Sequence, residues 1–166
     1  MYFTRQKTKK NHTTRGVSLI EVVVGASLIT ATLIGLVLLV QLYSRVSRDN
    51  TSLVQGSLIG EEGMEGMRSI RDTDWDNIQT MSSSTPYYLS FNNNAFIATS
   101  TPNSFINGRF ERLITVDDVY RDLDGVIVLS GGIFDPDTKK ITVTVSWTVS
   151  VGATTTQTTE TYLTNS

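Results

Sequence analysis

Residues 17–40 read VSLIEVVVGASLITATLIGLVLLV, a run of 24 positions in which Glu21 is the single charge. Wound as a helix, the run is about 36 Å long at 1.5 Å per residue, enough to cross a hydrocarbon layer about 30 Å thick. A soluble helix that is apolar on every side needs protein on every side. A chain of 166 residues, 39% hydrophobic and 18% charged, has too little apolar material left over to supply that cover. The run is therefore expected to span a membrane. A secretory signal cut after Val24-Gly25-Ala26 fits less well, because the apolar run continues about 14 residues beyond that site and a carboxylate sits inside it.

Charge sets the direction of crossing. Arg5, Lys7, Lys9, Lys10 and Arg15 lie ahead of the run with no acid among them, while all 16 acids of the chain lie after residue 15. The formal charge of −2 thus combines a basic head with a body near −7. Basic flanks stay on the cytoplasmic side, so the N-terminus is expected in the cytoplasm and the remainder outside a single-pass inner membrane. An acidic exported body also speaks against direct nucleic-acid binding.

Composition removes most catalytic chemistry. There is no Cys, and the one His is His12 in the basic head. Disulfide scaffolds, thiol catalysis, Ser-His-Asp triads and imidazole metal sites all need residues the body lacks. No phosphate-binding loop is present, and the chain is expected not to be an enzyme.

Glu21 is the position to explain, since an acid inside an apolar span is costly and is usually functional. One reading leaves it at the headgroup level without a partner. The other gives it a cation: cleavage between Gly16 and Val17 would create an α-amino group four residues, one helical turn, before Glu21. Arg15-Gly16-Val17-Ser18-Leu19-Ile20-Glu21-Val22 resembles the leader junction of the type IV pilin and type II secretion pseudopilin superfamily. The resemblance covers residues 1 to about 50 and departs at Val17, where the family usually has Phe. It implies that Gly16 precedes the bond cut by a prepilin peptidase and that Val17 becomes the methylated N-terminus. It also implies that Glu21 pairs with the terminal amine of a neighbouring subunit in a filament. The partners implied are the peptidase, other pilin-like subunits through the N-terminal helix, and membrane lipid before assembly.

Beyond residue 40 the chain turns polar yet stays compatible with a helix to about residues 71–76. Leu53, Gly56, Gly60, Met64, Met67 and Ile70 recur at intervals of three and four and define an inward face, with Glu65 placed to pair with Arg68. Four glycines between 56 and 66 suggest a weakened or kinked stretch. Residues 81–86 (MSSSTP) read as a linker. Strands are expected at 87–91, 109–116, 126–129 after an Asp124-Gly125 turn, and 141–151, followed by a Gly152-Ala153 turn into 154–163. Trp147, Phe110, Tyr120 and the Ile/Val face are expected in the core, with Trp75 and Phe134 as packing residues. The reading is an α+β, pilin-like chain: a leader at 1–16, an apolar helix at 17–40, its amphipathic continuation at 41–76, and a β-rich domain at 77–166 built on a small antiparallel sheet.

Acids gather at Asp117, Asp118, Asp122, Asp124, Asp135 and Asp137. Asp122-x-Asp124-Gly125 begins like a calcium loop but lacks the other spaced ligands, so Asp122 and Asp124 are weak Ca²⁺ candidates and no cofactor is expected. Two functions remain. One is a structural subunit, minor or accessory, of a pilus-like or pseudopilus filament. The other is an uncleaved, membrane-anchored β-domain that binds calcium, glycan or a protein partner.

Overall fold

A computed structural model describes residues 16, 18–102, 105–149 and 152–165. The elements are α1 (Leu19–Thr73), α2 (Asp76–Gln79), β1 (Tyr88–Asn92), β2 (Ala95–Thr99), β3 (Glu111–Arg121), β4 (Ile127–Val128), β5 (Ile133–Thr148) and β6 (Thr154–Thr164). They fall into two compact units, Met1–Ser44 and Arg45–Ser166.

In the first unit the apolar part of α1 is exposed along its length. Its most apolar window, long enough to cross a membrane, has no buried residue. The hydroxyls within it are satisfied locally: Ser27, Thr30 and Thr32 donate to the carbonyls of Val24, Ala26 and Ile29 at 2.7–2.8 Å. Back-bonding of this kind leaves no polar hydrogen facing an apolar surrounding.

The second unit holds the core. Sheet order is β4-β3-β5-β6, antiparallel throughout, with β1-β2 as a separate hairpin attached to β3 by a bridge between Tyr87 and Ile114. Along β5, Ile141, Val143, Val145 and Trp147 are buried, while Thr142, Thr144 and Ser146 alternate with them on the wetter face. Directly paired residues share a face, so the outward hydroxyls continue across the ladder as Thr144 opposite Thr158, Ser146 opposite Thr156 and Thr148 opposite Thr154. The inward faces of β3 and β5 meet Ile59, Met67 and Ile70 of α1, with Ile78 of α2 closing the same core. Trp75 is buried, whereas Phe134 is half-exposed.

Several expectations change. The glycines of α1 do not interrupt it; the helix is continuous through Gly56, Gly60, Gly63 and Gly66, all buried. A Cβ on Gly56 would lie 2.6 Å from the Trp147 ring, one on Gly63 2.9 Å from Val143 Cγ1, and one on Gly66 2.8 Å from Leu89 Cδ1. These glycines let helix and sheet approach closely. The inward face is rotated accordingly: Ser52, next to that contact, is buried, whereas Leu53 is exposed.

The segment 81–86 is no free linker, because Ser84 N–H and Oγ both donate to Asp117 Oδ1 and Asp118 N–H donates to Ser83 Oγ. A hairpin strand, β2, follows β1 through Asn93 and Asn94 at φ 49° and 64°, the left-handed pair that a two-residue hairpin turn requires. Toward the end of β3 the register shifts: Asp118 pairs with Lys139 but Val119 pairs with Asp135, so Pro136, Asp137 and Thr138 form a bulge on β5. Proline is tolerated there because no ladder hydrogen bond is asked of it. The shift exchanges the two faces. Val119 is therefore buried, and Tyr120, expected in the core, is exposed and packed on Phe134 with ring centroids 6.0 Å apart. Strand β5, expected to run to residue 151, ends at Thr148, and Val151 lies outside the described residues.

Candidate functional site

The head of α1 is built by Ser18. Its carbonyl accepts from Glu21 N–H at 3.0 Å and Val22 N–H at 3.3 Å, which makes Ser18 the residue that opens the helix. Ser18-Leu19-Ile20-Glu21 has the spacing of a capping box, a signal the motif-based reading passes over. Glu21 is exposed in the first turn of α1, where a carboxylate also complements the positive end of the helix dipole. Gly16 is exposed and precedes the helix. Val17 and the basic residues Arg5, Lys7, Lys9, Lys10 and Arg15 lie outside the described residues, as does His12. Glu21, at the start of a bare apolar helix, presents its carboxylate outward.

Five of the six clustered acids are spent on structure, and the Asp124 carboxylate has no partner among the described residues. Asp122 Oδ1 accepts from the N–H groups of Asp124 (3.0 Å) and Val126 (2.8 Å), closing its own turn around Gly125 at φ 79°. Asp117 holds Ser84, and Asp137 accepts from the Asn165 amide at 3.3 Å. Asp135 binds Arg121 Nε at 2.6 Å, and Asp118 binds the buried Lys139 ammonium at 2.5 Å. The Lys139 hydrogen bond draws the Asp118 carboxyl below its ordinary range against a smaller opposing effect of burial. The Arg121 hydrogen bond, helped by Thr138, does the same for Asp135. Asp122 thus acts as a turn-former, and among the described residues no group of three or more His, Cys, Asp or Glu side chains is arranged to hold a metal ion.

Comparison with protein-family models, with curated proteins and with solved structures returns no match.

Two buried cations escape a reading by alternation, because each occupies an inward position that the pattern assigns to apolar residues. Arg112, on the inner face of β3, donates from Nη1 to the Ile59 carbonyl of α1 at 3.2 Å and lies 3.4 Å from Glu62. Lys139 occupies the corresponding inward place on β5 beside the bulge. The one available signal is that each has an acid within reach, Glu62 across the core and Asp118 across the ladder. Both serve the fold, tying helix to sheet and β3 to β5.

Proposed function

We propose that the chain is a structural subunit of a type IV pilus-like or type II secretion pseudopilus filament. It would be cut between Gly16 and Val17 by a prepilin peptidase and then assembled through its apolar helix. The observation that carries this reading is the continuous Arg15–Val22 junction standing at the head of an exposed apolar helix whose first turn contains Glu21. An acid there is costly in lipid and is stabilised once an amine neutralises it. The new α-amino group of a neighbouring subunit is such an amine. The β-domain then serves as the exported body, and the chemistry is performed on the chain by the peptidase rather than by the chain itself. A minor or accessory place in the filament is favoured by a β-domain that has no Cys-closed loop.

The test is intact mass and N-terminal analysis of the membrane and sheared-surface fractions from cells with active peptidase. A chain beginning at N-methylated Val17 is the expected result. A chain retaining Met1 overturns the proposal and leaves the uncleaved, membrane-anchored binding domain. In the same cells Glu21→Val should keep membrane insertion and abolish incorporation into filaments.

A further inference from the structure

Within the second unit an open groove of about 630 Å³ is floored by one flank of α1, including Leu58, Glu61, Glu62, Glu65 and Arg68. Phe96 of β2 lines it from one strand and Thr159 of β6 from another. Both strands are the terminal members of their sheets. β6 pairs with β5 along all 11 residues without a register shift, and its sequence contains no Pro, Lys or Arg. β6 thus lacks the Pro, Lys and bulge that commonly close an edge, and its one charge, Glu160, is paired with Lys140 at 2.8 Å. Thr159 stands opposite the buried Val143, on the face that meets the helix, and yet is exposed. The sheet extends past the cover that α1 provides.

The floor decides what chemistry would fill this space. Glu65 is bound to Arg68 in an exposed pair at 3.1 Å, and Glu62 leans on the buried Arg112 at 3.4 Å. Both carboxylates remain more than half exposed. Glu61 has no partner among the described residues and is exposed. Exposed Leu58 and half-buried Phe96 add apolar surface. A strand laid along β6 would direct alternate side chains onto this floor, where long cations with apolar stems are complementary to it. We propose that the groove receives an extended cationic segment of a partner protein as an added strand on the free edge of β6, with Lys or Arg side chains over Glu61 and Glu65. The proposal is independent of the filament reading.

The test uses the full chain in uncharged detergent micelles and a fluorescent peptide of alternating Lys and Val, followed by anisotropy. Saturable binding is expected, weakening as salt rises from about 50 to about 500 mM. The exposed double substitution Glu61→Gln/Glu65→Gln should weaken it about fivefold or more. Methylating the alternate backbone nitrogens of the peptide that would face β6 should abolish binding, since strand addition needs those donors. Absence of saturable binding, equal binding to the double variant, or equal binding of the methylated peptide each overturns the proposal.

Discussion

At Gly56 a hydrogen atom occupies the place where a methyl group would meet the Trp147 ring at 2.6 Å, and that ring is itself fixed against Phe110. The ring has no free end to swing away. Gly56→Ala is therefore expected to destabilise the domain by about 1–3 kcal/mol through overpacking, less the gain of helix propensity. Gly60 gives the opposite outcome. Its Cβ would lie 3.8 Å from Val145, an ordinary contact, so Gly60→Ala should stabilise by up to about 1 kcal/mol. Chemical denaturation of the full chain in micelles, followed by near-ultraviolet circular dichroism, separates the two. From the sequence these glycines read as helix weakness, because a glycine's cost to its own helix is local whereas its benefit depends on Trp147, some 90 residues away. Leu53, expected inward, is exposed and Ser52 is buried for the same reason: what the sheet brings to that turn decides which of them is covered.

Among the elements, the β3–β5 pair carries two depressed carboxyls, and the exposed Glu160 of β6, lowered by its Lys140 hydrogen bond, is a third. Asp118 and Asp135, on either side of the register shift, have carboxyls held below their ordinary range by Lys139 and Arg121 respectively. A carboxyl whose folded pKa is depressed adds stability that is present above its unfolded value, near 4, and lost as pH falls through the folded one. The thermal midpoint should thus hold steady from about pH 8 to about pH 5 and fall below about pH 4. Lys139→Met should shrink that acid-side fall by removing the main cause of the Asp118 shift. A midpoint insensitive to acid, or a fall unchanged in the variant, would contradict this assignment. Alternation made the clean parts of β5 and β6 legible. It failed where the period itself breaks: the bulge at Pro136–Thr138 hid the first half of β5 and turned Tyr120 outward. The Asn93-Asn94 turn lacks the glycine that would have announced β2.

For the whole molecule, an apolar helical segment exposed along its length predicts partitioning. The chain should sediment with membranes, resist alkaline carbonate washing, and be released by detergent. Recovery in the carbonate supernatant would count against a membrane-spanning segment. Of the candidate site, the place of Gly16 ahead of α1 and of Glu21 in its first turn was legible in the contiguous run from Arg15 to Val22, while its chemistry stands as the proposal above. The uses of the scattered acids were not legible, since Asp118, Asp135 and Asp137 find their partners only after the strands are in register. The two regions of the sheet also meet their medium in different ways. Where β3 and β5 are joined by ion pairs, hydration changes with acid and with salt. Along the outward rungs of Thr144 and Thr158, Ser146 and Thr156, and Thr148 and Thr154, the water-binding groups are hydroxyls, which neither titrate in that range nor gather counterions. That surface wets to the same degree in fresh or brackish surroundings and on either side of neutrality.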